Sequence, residues 1–305
     1  MNPSRHSRMN KCRSMKSGFT IIELVVVMGV ASIALGAIYT VYVSVSKDYA
    51  RQREVVNMQQ NLRSAIYLIK NDLRNAGRNP LMDGSVGITD VGRYNPDDDA
   101  PDGYPGITMT TMIDTDRDGE VEIGTLRTIS YRVDDADGDG RRELWRQDSN
   151  SAAPLAWDLV FDGIEDISFA YAYDNDNDLD LDRSNGAASA VIWALDTDGI
   201  TGLDTNADNN SDGDINAQDD NNEDGNIDSS DGSLGAQIPL SDIRAVRIWL
   251  LARSKQTFPK YTDSKTYVLG HKVMDMLNDT YANRRTFRHK LLVGAVALQN
   301  RQRKP

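Results

Sequence analysis

The chain has 305 residues, a formal net charge of −12 and one cysteine, Cys12. This acidic balance argues against DNA or an anionic lipid surface as the main partner, and a single cysteine excludes an internal disulfide. Without residues 1–18, the chain has a net charge of −17 and no cysteine, so its fold must be held by a hydrophobic core or by metal.

The N-terminal region has the pattern of an exported or membrane-inserted protein. Residues 1–18 contain five Lys and Arg and no acid, and an apolar run follows over residues 19–45. Its last 22 residues, 24–45, are uncharged, and about 20 suffice to span a bilayer as a helix. The basic N-terminal flank should stay in the cytoplasm, so everything after about Lys47 is predicted to be extracytoplasmic.

Glu23 is the only charged residue in this apolar run. A charge near the bilayer centre costs about 2.5 to 3.5 kcal/mol, so Glu23 needs an explanation. An ordinary signal peptide, cut near residues 34–36, is one alternative. However, the run is long for such a peptide, and that alternative leaves Glu23 unexplained.

Residues 18–24, G-F-T-I-I-E-L, resemble the class III signal of type IV prepilins. The shared features are a basic leader, a glycine, an aromatic residue, an acid at the fifth mature position and an apolar helix. The resemblance implies that residues 1–18 are a leader removed between Gly18 and Phe19, and that Phe19 is then methylated. It also implies that Glu23 meets the N-terminal amine of a neighbouring subunit during assembly.

An amphipathic helix is predicted to continue beyond the membrane run and to end near Gly77 and Pro80. One face of this helix carries a mostly apolar stripe of residues spaced three or four apart, which is expected to pack on the chain's own domain. The stripe consists of Val55, Gln59, Leu62, Ile66, Ile69, Leu73 and Ala76. The prediction is therefore a helix over 19–77, with its transmembrane segment at 19–45, and a β-rich extracytoplasmic head over 78–305. Strands are predicted at 126–133, 143–147, 164–173, 243–252 and within 287–298.

The predicted fold class is α+β, with a long N-terminal helix packed on an antiparallel sheet. Four segments, in order, are similar to PilW-like minor pilins: residues 60–77, 164–171, 242–253 and 284–301. This resemblance implies a pilin-type fold. It also implies major and minor pilins, the prepilin peptidase, the inner-membrane assembly platform and a tip adhesin as partners.

Two adjacent acidic segments, residues 208–219 and 220–231, repeat at a period of 12. We call them the tandem loops. Each has oxygen-bearing side chains at positions 1, 3, 5, 9 and 12, Gly at 6 and Ile at 8, which is the ligand order of a calcium loop with Asp in place of Glu at 12. The predicted calcium ligands, including position 7, are Asp208, Asn210, Asp212, Asp214, Asn216 and Asp219, followed by Asp220, Asn222, Asp224, Asn226, Asp228 and Asp231.

Two earlier segments form incomplete copies, because Thr125 and Arg146 stand at position 12. Their candidate ligands are Asp114, Asp116, Asp118, Glu120 and Glu122, and Asp135, Asp137, Asp139, Arg141 and Glu143. Aspartates also alternate over residues 174–182, but this segment lacks the glycine, and Asp196 with Asp198 begins a poor copy.

A solvated, disordered acidic loop is the alternative to calcium, since residues 185–242 contain 13 acids and no Lys or Arg. No long helices flank the tandem loops, which therefore resemble dockerin or thrombospondin-type repeats more than a paired EF-hand. Extracellular sites of this kind bind calcium at about 10⁻⁴ to 10⁻³ M. We predict a calcium-loop insertion over about 174–232 that stabilises the head in place of disulfides.

The sequence offers little support for an enzyme. After residue 18 the chain has two histidines, His271 and His289, and it has neither the sequence motif of a catalytic nucleophile nor that of a phosphate-binding loop. The favoured hypothesis is a minor pilin that initiates or caps a type IV pilus, a filament used in adhesion or motility. It would be held in the bacterial inner membrane with its N-terminus cytoplasmic before moving to the periplasm and the extracellular pilus. The alternatives are a type II secretion pseudopilin and a calcium-dependent adhesive tip subunit.

Overall fold

The computed structural model describes residues 18–77, 87–91, 106–112, 126–136, 138, 140–149, 156–184, 189–197, 202–258, 260–277 and 284–298. The chain divides into two compact units, residues 1–50 and 51–305. The described elements are α1 (Ile21–Asn75), β1 (Ile88–Asp90), β2 (Gly106–Met112), β3 (Leu126–Asp134), β4 (Glu143–Asp148), β5 (Trp157–Asp162), β6 (Ile164–Tyr173), β7 (Ala194–Leu195), β8 (Leu203–Asn206), β9 (Ser233–Ile238), a short 3₁₀ turn (Leu240–Asp242), β10 (Ile243–Arg253), β11 (Thr266–Val268), β12 (Val273–Asp275) and β13 (His289–Ala297).

The helix α1 ends where the sequence predicts a stop. Gly77 follows it with a φ of 75°, the left-handed conformation that commonly closes a helix. The backbone N–H of Gly77 donates to the carbonyl of Thr110 on β2 at 3.0 Å. The turn that ends the helix is therefore tied directly to a strand of the head.

All described strand pairs are antiparallel, and they form two larger sheets and one small hairpin. Sheet one has the order β1-β2-β3-β4-β5, so each strand pairs with its neighbour in sequence. Sheet two has the order β13-β10-β6-β7-β8-β9, and β11 pairs with β12. The predicted hairpin of residues 126–133 and 143–147 is confirmed as β3 and β4, with Val133 opposite Leu144.

The main core lies between the C-terminal part of α1 and both sheets. Every residue of β6 is buried, so the alternation read from its sequence does not mark a solvent-exposed face. The predicted stripe on α1 packs into this core, which confirms that it serves the chain's own head. We call this core the helix cluster; among its members are Leu62, Ile66, Ile69, Leu73, Ile107, Tyr131, Ile167, Val246, Ile248 and Leu250.

A second core lies on the other face of β6 and β10, because alternate residues of these strands point to opposite faces. It includes residues of the β11-β12 hairpin and one residue of the tandem loops. We call it the hairpin cluster; it contains Ala170, Leu195, Ala207, Ile227, Trp249, Leu251, Tyr267, Leu269, Met274 and Met276. The tandem loops therefore contribute to the core of the head.

A buried polar network joins α1 to sheet one. The hydroxyl of Tyr131 donates to Oδ2 of Asp72 at 2.6 Å, and Nε of Arg146 donates to the same oxygen at 3.0 Å. Arg146 also pairs with Asp148 at 2.9 Å, and Asp148 accepts two hydrogen bonds from Arg127. Burial and the charge of Asp72 raise the pKa of Tyr131, so its hydroxyl stays protonated and donates.

The fold class is confirmed as α+β, with a long N-terminal helix packed on antiparallel sheets.

Candidate functional site

The residues predicted to serve in processing and assembly lie at the start of α1. Gly18 and Phe19 precede the helix, and the Phe19 side chain is 84% exposed. Glu23 lies in the first turn, where its backbone N–H donates to Oγ1 of Thr20 at 3.3 Å. T-x-x-E at a helix start is a capping-box sequence, and the Thr20 side chain supplies its half of that box, which the sequence analysis missed. An acid in the first turn also interacts favourably with the helix dipole.

The N-terminal part of α1 exposes its apolar side chains. The helix is long and apolar enough to cross a membrane, judged by length and composition. Large apolar side chains on all sides are more than half exposed, which is typical of a helix that lies in lipid or against other helices. They include Ile21, Ile22, Leu24, Val25, Met28, Val30, Ile33, Leu35, Ile38, Tyr39, Val41, Tyr42 and Val45.

The tandem loops connect two paired strands of sheet two. They begin directly after β8 and end directly before β9, which pair with each other. The N–H of Asn206 donates to the carbonyl of Gly232 at 2.7 Å, and Thr205 is opposite Ser233. The ends of the 24-residue segment are therefore held together by the sheet, independently of anything the loops bind.

Both tandem loops turn around the carboxylate at position 1. In the first, Oδ2 of Asp208 accepts the N–H of Gly213 at 2.9 Å. In the second, Oδ2 of Asp220 accepts the N–H of Gly225, also at 2.9 Å. These glycines have φ values of 97° and 90°, and position 4 of each loop is also left-handed, at Ser211 (59°) and Glu223 (57°). The glycine at position 6 thus permits the sharp turn of the backbone around the carboxylate at position 1.

The carboxylate at position 12 closes each loop. Asp219 accepts the N–H groups of Asn216 at 2.9 Å and Asn210 at 3.4 Å. Asp231 accepts those of Asp228 at 3.0 Å and Asn222 at 3.4 Å. Positions 3, 5 and 9 each accept an N–H two residues further on, so the two loops share one hydrogen-bond pattern.

The isoleucine at position 8 anchors each loop to the head. Ile227 is completely buried in the hairpin cluster, whereas Ile215 is only partly buried against it. The N–H of Ile227 donates to the carbonyl of His271 at 2.8 Å, and the N–H of Val273 donates to that of Gly225 at 2.8 Å. The second loop therefore pairs with the segment between β11 and β12.

The electrostatics of the tandem loops favour a bound cation. Burial is the main cause of a raised pKa for both Asp219 and Asp220, with nearby aspartates adding to it. Arg247, stacked between Trp193 and Trp249, is the basic residue that interacts with Asp208 and Asp214. All candidate ligands are oxygens, which suits a hard cation such as calcium.

The twelve predicted ligands lie on the two tandem loops, six on each. Within the described residues, however, only Asp174, Asp176 and Asp182 place three carboxylate oxygens within 4.8 Å of one another. The acidic ligands of the tandem loops do not converge to this distance. Each of those loops combines carboxylates with amide or backbone oxygens, as calcium loops do.

The earlier candidate loops are only partly described. Asp114, Asp116, Asp118, Glu120 and Glu122, together with Asp137 and Asp139, lie outside the described residues. Oδ2 of Asp135 accepts the N–H of Gly140 at 3.0 Å, as in the tandem loops, and Gly138 and Gly140 have φ values of 71° and 78°. Arg141 pairs with Asp162, and Glu143 is buried at the start of β4. Position 12 is Arg146, which belongs to the Asp72 network and cannot close a cation site.

Both histidines are buried in the head. Nδ1 of His271 lies 2.8 Å from Oγ of Ser168, and burial lowers the pKa of His271 to about 3. Nδ1 of His289 lies 3.0 Å from Oδ2 of Asp263, and burial lowers its pKa as well. Ser168 is 1% exposed, so its pairing with His271 cannot present a nucleophile to a substrate in solution.

Comparison with known proteins identifies the N-terminal signal. The family model described as the prokaryotic N-terminal methylation motif matches residues 13–39. A search of curated proteins found no match. A solved type IV-like pilin from Thermus thermophilus aligns with 80% of this chain and 97% of its own, with 12% identity and a TM-score of 0.38. That score is too low to establish a common fold. The chain thus carries a prepilin-type methylation motif on a helix that could cross a membrane.

Proposed function

We propose that this chain is a minor pilin that is incorporated into a type IV pilus and helps to initiate or cap it. The methylation motif at residues 13–39 carries the proposal. Gly18, Phe19 and Glu23 occupy the cleavage, methylation and acidic positions of that signal. The exposed apolar helix that follows suits first a membrane and then the interior of a filament. The chain is a structural subunit, not an enzyme.

The finer assignment within pilin-like proteins rests on the PilW-like segments. Those over residues 164–171 and 242–253 fall on β6 and β10, two adjacent inner strands of sheet two. A minor pilin would assemble with major and other minor pilins after cleavage by the prepilin peptidase. It would leave the inner membrane through the assembly platform and present its head in the periplasm and then outside the cell.

A type II secretion pseudopilin is the second candidate, because the same N-terminal signal serves both systems. A deletion strain complemented with this chain distinguishes the two. Loss and recovery of surface filaments favour a pilus, whereas loss and recovery of secreted enzymes with filaments unchanged favour secretion.

Two substitutions test the assembly role of Glu23, because one changes its charge and the other changes the cap at the helix start. Glu23→Gln keeps a side chain that can cap a helix but removes the charge, whereas Thr20→Ala removes the cap and keeps the charge. We expect Glu23→Gln to be inserted and cleaved normally but depleted from sheared filaments. Thr20→Ala should be incorporated. Equal incorporation of Glu23→Gln and the unmodified chain would show that the charge has no assembly role.

We also propose that the tandem loops bind calcium and stabilise the head. Asp208, Asp220 and the other predicted ligands would hold the ions, whose positive charge would offset the repulsion among these carboxylates. The shared hydrogen-bond pattern, the left-handed glycines and the burial of Ile227 support this proposal. They give the two loops one shared local fold, into which an ion would draw carboxylates that do not converge to within 4.8 Å in its absence. The same calcium-stabilised surface is where an adhesive tip subunit would contact a partner.

Calcium titration of the full chain in detergent tests this second proposal. We expect bound calcium and the thermal midpoint to rise together, with half-saturation at about 10⁻⁴ to 10⁻³ M. Asp208→Asn and Asp220→Asn should each remove one ion. Asp158→Asn, which removes an exposed charge on β5, is the control and should remove none. Unchanged calcium binding in both loop variants would refute the assignment.

A further inference from the structure

The segment of residues 174–182 is an acidic loop attached at both ends to sheet two. It follows the last residue of β6, and the N–H of Asp182 donates to the carbonyl of Tyr173 at 2.9 Å. The carbonyl of Asp182 in turn accepts the N–H of Ile192 at 3.0 Å. The two ends of the loop are therefore fixed beside each other by the fold of the head.

This loop adopts the backbone pattern of the tandem loops without their glycine. Counted from Asp174, positions 4 and 6 are Asn177 and Leu179, with left-handed φ values of 62° and 76°. The N–H of Asp178 donates to Asp176 at 3.2 Å, which matches the bond from position 5 to position 3 in both tandem loops. A left-handed conformation is unfavourable for leucine, so the surrounding structure must impose it.

The first aspartate of this loop has an oxygen that no described residue satisfies. Asp174 is only 1% exposed, and its Oδ1 is buried without a hydrogen-bond partner. Its Oδ2 lies 3.7 Å from Nε of Arg244, beyond hydrogen-bond distance. A buried carboxylate oxygen without a partner is costly, and it therefore indicates a missing ligand.

Two further carboxylates lie close to that of Asp174. One oxygen each from Asp174, Asp176 and Asp182 lie within 4.8 Å of one another. Calcium binds oxygen at about 2.3 to 2.6 Å, so two of its ligands can lie up to about 5 Å apart. The three oxygens therefore lie within the range that one calcium ion can bridge.

The charge balance also favours a cation. Asp178 and Asp180 add two more carboxylates to the same loop. Among the described ion pairs, Arg244 is the one basic side chain that pairs with a member of the cluster formed by Asp174, Asp176 and Asp182. The Arg244 guanidinium donates to the carbonyls of Ser241 and Ile243, so its hydrogen-bonding capacity is directed largely at the backbone. One shared arginine leaves the cluster with a negative excess.

We propose that Asp174, Asp176 and Asp182 form a third calcium site in the head. Asp182, at position 9 of this shorter loop, would take the closing role that position 12 has in the tandem loops. It accepts the N–H of Asn175 at 3.3 Å, as Asp231 accepts that of Asn221 at 2.8 Å. The site does not depend on the tandem loops, because its ligands and its two ends all lie outside them.

The test uses the full chain in detergent with both tandem loops disabled by Asp208→Asn and Asp220→Asn. Equilibrium dialysis counts bound calcium, and terbium luminescence excited through tyrosine reports an ion near Tyr173, which adjoins Asp174. Asp176→Asn is the main test variant, because this residue is exposed and asparagine retains the oxygen that accepts the N–H of Asp178. Asp180→Asn, an exposed aspartate of the same loop outside the cluster, is the matched control.

We expect the disabled chain to retain one calcium ion and a tyrosine-excited terbium signal. Asp176→Asn should weaken binding at this site at least tenfold, whereas Asp180→Asn should change it less than twofold. No retained ion, or equal effects of the two substitutions, would overturn the proposal. If the tandem loops bind no calcium, the unmodified chain should still bind one ion that Asp176→Asn removes, so the two proposals fail separately.

Discussion

Replacing Ile227 by alanine tests whether the second tandem loop is an integral part of the head. Ile227 is completely buried, and it packs in the hairpin cluster with Trp249, Leu251 and Tyr267. Its N–H also donates to His271, so the side chain lies where the loop pairs with the β11-β12 segment. Truncating a fully buried isoleucine removes its transfer free energy and leaves a cavity, at a cost of about 2 to 5 kcal/mol.

The matched control is Ile215→Ala, the same change at position 8 of the first tandem loop. Ile215 is only partly buried against the same cluster, so less apolar surface returns to water and a smaller cavity forms. We expect a cost of about 1 kcal/mol for this control. The difference between the two variants isolates the anchoring contribution of the second loop.

The assay is urea unfolding of the full chain in detergent, followed by tryptophan fluorescence, because Trp249 lies in the affected cluster. Measurements with calcium and with a chelator separate anchoring from ion binding. The expected result is a loss of at least 2 kcal/mol for Ile227→Ala in calcium and a clearly smaller loss for Ile215→Ala. A loss below about 0.5 kcal/mol for Ile227→Ala would show that the loop does not pack on the head.

Three other predictions follow from the polar groups of the head. Asp72→Asn should lower the unfolding free energy by about 2 kcal/mol, because Arg146 loses one of its two carboxylate partners and Tyr131 loses a charged acceptor. Tyr131→Phe should cost about 1 kcal/mol, and equal costs in urea unfolding would contradict this account. Lowering the pH from 7 to 5 should cost about 2 kcal/mol through His271, whose pKa falls from 6.5 to about 3 on folding. The unfolded chain then gains a proton that the folded chain cannot, and His271→Asn should flatten this part of the pH profile. Calcium affinity should fall as the pH drops through the raised pKa values of Asp219 and Asp220, because protons then compete with the ion; a pH-independent affinity between pH 7 and 4 would contradict this.

The sequence predicts the elements whose patterns are local and strong. The alternating or continuous apolar runs of β3, β6 and β10 mark strands without reference to the remaining chain. By contrast, the sequence predicts no strand at β8 (L-D-T-N) or at β9 (S-L-G-A-Q-I). These short segments are rich in residues that disfavour strands, and they are extended because they pair with each other beneath the tandem loops.

In the candidate sites too, local sequence predicts the loops but not their contacts with distant parts of the chain. The period of 12 and the glycines at position 6 predict the tandem loops, but not that Ile227 pairs with His271, which lies far along the chain. Residues 174–182 fall within the predicted insertion but are not among the predicted ligands, because they lack the glycine. Leu179 adopts the left-handed conformation that glycine would otherwise supply. The signal that remained was the unbroken alternation of five aspartates.

The most direct test of the central claim is the N-terminus of the mature chain, determined by mass spectrometry of N-terminal peptides from native membranes and sheared filaments. Processing as a prepilin predicts a chain that begins at Phe19 with one added methyl group, in both fractions. A chain that begins at Met1, or one cut near residues 34–36 as an ordinary signal peptide, would contradict the proposed function.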